Sequence, residues 1–496
     1  MQILTLQHEF RPTLPNIYGT CDYKRFREML IKIDDILIKG GLEHDIVSKT
    51  LDHQAENEEM AQKQLSSKQS NAQYNKLRHA LRCNIARHLT GESYRAFGIR
   101  LADSQLFQWF TGINGFATRR ATSKSSLERY EKIFDETFIA EMIRQWFSGL
   151  SDKKRATDVG LTRSIDCKQI FMDSTCIKAN IHFPVDWVLL RDGARSLLLA
   201  IKTIRAQGLK HRIIDPALLL KKMNRLCINM THARRRKDSK KQRKQVLRLI
   251  KKLSVCISKH ARRYHQLLKE NWANTAWSQA QMQQVIGRID NILEQLPKAI
   301  KQAHDRIIGE RRIKSSDKLL SLYDKDVQVI VRGKAGNEVE FGQRLLLAEQ
   351  ADGLIIDWEL FGDSAPSDNR LLKPTVDRIE KHYGSIDSVT GDRAFSSAEN
   401  TVFLAEKNIY NAMCPKSPKE LQEKLTDATF VSLQTRRSQT EARIGIFKNV
   451  FLGRPLRSKI TLYKRHAINW CVLTHNLWVL SRKALSDERS ALKKAA

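Results

Sequence analysis

What constrains this chain most is a change of hydrophobic period along it. From about residue 190 to 312, apolar residues recur at three- and four-residue steps. Leu219, Met223, Leu226 and Met230 form one such series. Val246, Leu249, Leu253 and Cys256 form a second, and Met282, Ile286, Ile289, Leu293, Leu296 and Ile300 a third. This is the period of amphipathic helices, and its extent predicts an antiparallel hairpin or a small bundle. On either side the pattern is different. Lys168-Gln-Ile-Phe-Met-Asp173 is a short apolar run that reads as a buried strand ending in an acid, and Cys176–Ile181 reads as a second strand. After Asp324, strand-like runs return at 327–332, 344–348, 354–360, 386–391 and 409–414. Gly333-Lys-Ala-Gly336 reads as a turn, and helical stretches fall at 371–383, 396–407 and 438–484. Strands alternating with helices predict an α/β mixed sheet flanked by helices. The long helical block is then an insertion between its early strands.

Residues 1–160 read as mostly helical. Gly91–Phe110 carries apolar residues at helical spacing, and the basic stretch Thr118–Ser126 precedes a helix that Ser125 or Ser126 would cap near Leu127. Short helices joined by a basic turn fit a helix-turn-helix module and equally a small bundle. The expected organisation is a helical N-terminal DNA-binding or dimerisation region over 1–160, then an α/β domain over 165–484. Residues 190–315 would interrupt that domain as a basic helical insertion, and 485–496 would be a basic tail.

The charge narrows the partner. The formal net charge is +32, with 41% hydrophobic and 28% charged residues, which is globular usage with a strong basic excess. A polyanion such as nucleic acid is the common reason for such a surface. Between His232 and Glu270, fifteen Lys and Arg, including Arg234, Arg235, Arg236 and Lys237, face only Asp238 and Glu270. Few of these charges can be neutralised within the segment, so the phosphate backbone of double-stranded DNA explains them better than a solvated helix face. The eight cysteines include no Cys-x-x-Cys pair, which argues against a zinc site and for buried, reduced thiols. The first residues lack a signal-peptide pattern, and the most apolar run, Trp470–Leu480, contains Thr474, His475 and Asn476. A cytoplasmic, nucleoid-associated protein with no membrane partner is expected.

Three acids stand out by context. Asp173 ends an apolar run and precedes Ser174 and Thr175. Asp392 sits in Thr390-Gly-Asp-Arg-Ala-Phe395, just past a strand. Glu441 sits between Arg437 and Lys448. Acids at neighbouring strand ends project into the crevice where α/β folds bind ligands. Three carboxylates suit hard cations such as Mg2+ or Mn2+, and two ions roughly 3.5–4 Å apart activate and stabilise the oxygens of a phosphodiester. Each acid also has a local reading: Asp173 as a turn cap with Thr175, Asp392 as a turn residue after Gly391, and Glu441 in a capping box with Ser438. Glu441 and Lys448 are seven residues apart and share a helix face. Arg437 joins that face if the helix begins before it, and lies outside if Ser438 is the cap.

Taken in order, these segments resemble bacterial insertion-sequence transposases of the DDE class, the ISNCY-like and related groups. The resemblance runs through Tyr94-Arg-Ala-Phe97 and Asp103-Ser104, Met172-Asp-Ser-Thr175 with Asn180–Asp186, Thr390–Phe395, the Arg437, Glu441, Lys448 series, and His475-Asn-Leu-Trp478. It covers about residues 85 to 480. It implies an RNase H-like catalytic domain in which Asp173, Asp392 and Glu441 are catalytic metal ligands for Mg2+ or Mn2+, with two ions expected. It further implies a strand-cleaving and strand-transferring enzyme that acts on terminal repeats and target DNA as a homo-oligomer. Arg437, Lys448, Arg393 and Arg443 would contact DNA, with Arg454, Arg457 and Lys459 adding local positive charge. Two departures stand out: Gln434 where related transposases have Tyr three residues before the Arg, and Ala394 where they often have Gly. The competing expectations are a metal-dependent nuclease of the same fold and a catalytically inactive, repurposed DNA-binding derivative.

Overall fold

The computed structural model describes residues 14, 18–58, 67–113, 122–233, 238–334, 337–362, 365–453, 456 and 458–495. Arg234, Arg235, Arg236, Lys237, Arg454 and Arg457 therefore lie outside the described residues, as do residues 118–121 of the 118–126 stretch and part of the 333–336 turn. The chain divides into two compact units, Met1–Ile177 with Arg344–Ala496, and Lys178–Gln343.

Among the described residues the sheet has six strands: β1 (Gln169–Lys178), β2 (Gln328–Lys334), β3 (Asn337–Gln350), β4 (Ile355–Leu360), β5 (Ser388–Gly391) and β6 (Tyr410–Met413). In the first unit the hydrogen-bonded order is β4, β3, β1, β5, β6. β3 and β4 are antiparallel, while β1, β5 and β6 run parallel to one another. This mixed order, with helices on the faces, is the expected RNase H-like α/β arrangement. Parallel neighbours need crossover connections, and helices Asp368–Tyr383 and Ala398–Glu406 lie in the connections before β5 and β6. All four residues of β5 are buried, as a central parallel strand requires.

β1 corrects two expectations. The runs 168–173 and 176–181 are not two strands but one, and Asp173 lies in its middle rather than at its end. Burial dips at Asp173 and Ser174 and resumes at Thr175–Ile177. The drop in hydrophobicity that looks like a strand end marks a half-buried stretch inside the strand.

The helices of the N-terminal segment, from Cys21–Ile38 to Lys153–Asp158, share one apolar core with the C-terminal helix Thr461–Ala495 and the faces of β3 and β4. The cap of helix Lys124–Lys132 is Ser123, whose hydroxyl accepts from the Ser126 amide at 3.2 Å; Ser125 and Ser126 lie inside the helix. The Gly91 motif and the C-terminal motif both serve this core. Gly91 has a positive φ of 62°, and any Cβ there would collide with the Val450 carbonyl oxygen. Asn476 pairs with both backbone groups of Ile355 on β4, at 2.9 and 2.8 Å, which fixes the C-terminal helix to that strand.

The second unit holds helices Asp186–Ala206, Pro216–Ala233, Ser239–Asn271 and Gln279–Ala303 around their own core, with the β2–β3 hairpin ladder. These helices follow the apolar period of the sequence, but one of them buries a different face from the expected one. Helix Ser239–Asn271 buries Leu247, Ile250, Leu253, Ile257, Ala261, Tyr264 and Leu268. Leu249 and Cys256 are exposed, because this helix carries apolar residues on both sides and the buried stripe is offset by one residue from the expected one. Of the eight cysteines, all free thiols, Cys83, Cys176, Cys227 and Cys471 are buried, while Cys21 and Cys256 are exposed. Among the described residues no helix is long and apolar enough to cross a membrane.

Candidate active site

The site is built by two parallel strands and one helix. Across the β1–β5 ladder Gln169 pairs with Ser388, Ile170 with Val389, and Phe171 with Thr390. Two residues further on stand Asp173, still in β1, and Asp392, just past the end of β5, so the parallel register brings the two acids together. Asp392 leaves β5 and opens a short 3-10 turn, its Oδ1 accepting from the Ala394 amide at 2.9 Å. Asp173 Oδ1 accepts from the Ser174 amide at 2.7 Å. Burial, then the neighbouring Asp392 charge, and less strongly Glu441, push the Asp173 carboxyl up to about 6, against the opposing pull of the Ser174 N–H and Arg437.

Helix Ala428–Ile446 brings the third acid. Asp427 caps it by accepting from the Thr429 amide at 2.8 Å, and Phe430 and Leu433 pack with Phe171 of β1 and Ala412 of β6. The helix starts ten residues before the expected 438, so Ser438 is internal; its hydroxyl donates to the Thr435 carbonyl at 2.8 Å, and no capping box forms. Arg437 is therefore one turn before Glu441 on the same face, and its Nη1 meets Glu441 Oε1 at 2.9 Å. A five-residue π-turn, Phe447–Phe451, follows at the end of this helix, and the next helix begins only at Thr461. The expected continuous stretch 438–484 is broken there.

The same helix is fastened on its inner side. Buried Glu349 of β3 accepts from Thr440 Oγ1 at 2.6 Å and pairs with Arg436 at 2.9 Å and Arg443 at 3.0 Å. The Arg436 guanidinium also lies 4.4 Å from the Phe171 ring centroid. Arg443, expected at DNA, thus has its guanidinium on a carboxylate of the fold. Lys448 is buried in the π-turn, with its Nζ donating to Thr175 Oγ1 at 2.9 Å. Arg393 is exposed beside Asp392.

Gln434, which the sequence marks only as a departure from the Tyr of related transposases, links the elements of the site. Its Nε2 donates to the carbonyls of Gly391 at 3.2 Å and Ala412 at 2.6 Å, at the ends of β5 and β6. Its Oε1 accepts from Arg437 Nε at 3.2 Å. One amide thereby links the strand ends beside Asp392 to the arginine that holds Glu441. That departure sits three residues before Arg437 on one helix face.

Residues 292–477 match the family described as the transposase DDE domain. That stretch of the chain is similar to a transposase DDE domain. The matched span includes Asp392, Gln434, Arg437, Glu441 and Lys448; it begins at residue 292, inside helix Gln279–Ala303, and leaves Asp173 outside. No curated protein and no solved structure matches the chain. This similarity to the DDE domain supports a transposase function. Among the described residues, no three His, Cys, Asp or Glu side chains are gathered as a metal-holding group. Glu441 instead faces Arg437, with its side chain 56% exposed.

Proposed function

We propose that this transposase cuts the ends of its mobile element and joins the freed 3′-hydroxyls to target DNA, with Asp173, Asp392 and Glu441 as ligands of two divalent cations. The observation that carries the reading is the juxtaposition of Asp173 and Asp392 by a parallel ladder, where burial and mutual charge hold a proton on Asp173 up to about pH 6. Carboxylates crowded this way are short of positive charge, and hard divalent cations with oxygen preference supply it. Asp173 and Asp392 offer oxygens that suit Mg2+ or Mn2+, and Glu441 would complete the donor set on leaving Arg437. When bound, such ions would supply activation of an attacking hydroxyl and stabilisation of a leaving oxygen at phosphorus.

The chain's own groups do the rest. Arg437, released from Glu441, becomes a cation beside a phosphate. Lys448 brings a buried ammonium next to Thr175 on β1, two residues past Asp173. Arg393 offers an exposed guanidinium at the mouth of the site for the DNA backbone. Two ends must be processed together, so the working form is a homo-oligomer.

The test is a cleavage and joining assay with the DNA flanking this gene and Mg2+ or Mn2+. Wild type is compared with Asp173→Asn, Asp392→Asn and Glu441→Gln. Joined products from wild type alone are expected. Cleavage without joining would replace the reading by a nuclease, and binding without cleavage by all four proteins would replace it by an inactive DNA-binding derivative.

A further inference from the structure

The second unit carries a surface that the catalytic chemistry does not use. Helix Ser239–Asn271 turns its apolar face, Leu247 through Leu268, into the bundle core. On that side the Tyr264 hydroxyl donates to the His211 carbonyl at 2.6 Å, tying the helix to its own bundle. The opposite side exposes Lys241, Arg248, Lys252, Lys259, Arg262 and Arg263. At 3.6 residues per turn these six fall in one stripe directly away from the core. From Lys241 to Arg263 the helix rises about 33 Å, at about 1.5 Å per residue. One turn of B-DNA is about 34–36 Å long.

The charges of the stripe are uncompensated. No Asp or Glu lies between Asp238 and Glu270. Lys240 and Lys244, on the flank of the helix, pair with Glu310, at 3.3 and 2.8 Å. None of the six stripe residues makes an ion pair among the described residues. Arg248 with Lys252, and Lys259 with Arg263, are like charges four residues apart, a spacing that destabilises a helix. A face needed only for solubility would intersperse acids; a face that repels itself is explained by an anion it meets.

We propose that this stripe is a rail for the backbone of double-stranded DNA, spanning about one helical turn. The proposal rests on the transposase reading for its partner but not on the three acids. It engages phosphates, so it adds affinity without sequence preference.

The test measures duplex binding in EDTA, by fluorescence anisotropy, across a salt titration. Full-length wild type is compared with a variant carrying Lys241→Gln, Arg248→Gln, Lys252→Gln, Lys259→Gln, Arg262→Gln and Arg263→Gln. A control carries Lys202→Gln, Lys221→Gln, Lys222→Gln and Arg225→Gln, exposed positions of the same bundle. Circular dichroism checks that helix content is retained. Each lost phosphate contact lowers the slope of log K against log salt by about 0.9. The stripe variant is expected to lose a slope of about 2 or more and to bind at least tenfold more weakly near physiological salt, with the control close to wild type. Wild-type slope in the stripe variant, or an equal loss in the control, overturns the rail. Stronger stripe-dependent binding to single-stranded RNA overturns its assignment to duplex DNA. Failure of wild type to bind duplex at all overturns both the rail and the transposase reading. Loss of cleavage by Asp173→Asn with an intact salt slope separates the two sites.

Discussion

Asp173 in β1 and Asp392 just past the end of β5 lie beside each other, because Phe171 pairs with Thr390 and each acid lies two residues further on. Strands so paired are about 4.8 Å apart, which puts two carboxylates on one small patch. Asp173 is the one that yields, its carboxyl pushed up to about 6 by burial and by Asp392. Its folded value lies above the ordinary 3.8, so the folded state binds the proton more tightly and ionisation above pH 6 weakens the fold. Asp173→Asn removes that penalty. In EDTA at pH 7.5 it is expected to raise the unfolding free energy, by at most about 3 kcal/mol for a two-unit shift. Adding Mn2+ should stabilise wild type and leave the variant unmoved. Urea unfolding with and without Mn2+ checks both, and a less stable Asn variant in EDTA counts against the electrostatic account.

Gln434 gives the second prediction. Its amide bridges the Gly391 and Ala412 carbonyls and receives Arg437, so Gln434→Ala leaves two strand-end carbonyls and one guanidinium nitrogen without these partners. A loss of about 1–2 kcal/mol in stability is expected from the backbone bonds alone. A purely structural role would end there. A positioning role predicts in addition a 10–100-fold rise in the Mn2+ concentration needed for half-maximal cleavage, as is typical for groups that orient metal ligands. Unchanged metal dependence with lowered stability would reduce Gln434 to a strut.

How much of this is legible in the sequence depends on the range of the interaction. The second unit's helices show in their period, and the three acids show in their local strings. The face of helix Ser239–Asn271 does not, because Leu249 and Leu247 look alike until the bundle decides which one it covers. Asp173 looks like a strand end because polar Ser174 and Thr175 follow it, and only the pairing ladder shows the strand continuing. The start of the Glu441 helix hides for a similar reason: Ser438, three residues before Glu441, imitates a cap, while the true cap is Asp427. Gln434 finds its acceptors 22 and 43 residues away in sequence, on the ends of two strands, where no local pattern points.

Lys448 and Thr175 supply a third prediction. The ammonium is buried, and Thr175 Oγ1 is one of its acceptors at 2.9 Å. Thr175→Val keeps the shape and removes that oxygen, which is expected to cost about 1–3 kcal/mol by weakening the solvation of a buried charge. Thr175→Ser restores the acceptor and should recover most of it. If Val and Ser variants unfold at the same denaturant concentration, the hydroxyl does not support Lys448.

The last prediction concerns acid. His475 is fully buried on the C-terminal helix, between the rings of Phe447, Phe451 and Trp478, and burial lowers its value to about 4. The unfolded chain takes up this proton near 6.5, so between pH 6.5 and 4 the unfolded state binds more protons than the folded one. The stabilisation from neutral His475 is complete above 6.5 and is lost as pH falls through that window, by at most about 3 kcal/mol. Asp173 acts with the opposite sign between 6 and 3.8, where protonation relieves the folded state, so wild type superimposes the two. In the Asp173→Asn background the histidine term stands alone, and stability should fall more steeply between pH 6.5 and 4.5 than in wild type. Urea unfolding at pH 7.5, 6.5, 5.5 and 4.5 measures both slopes. Adding His475→Gln should flatten the curve of the Asn variant, and an unaltered slope would assign the acid sensitivity to other groups.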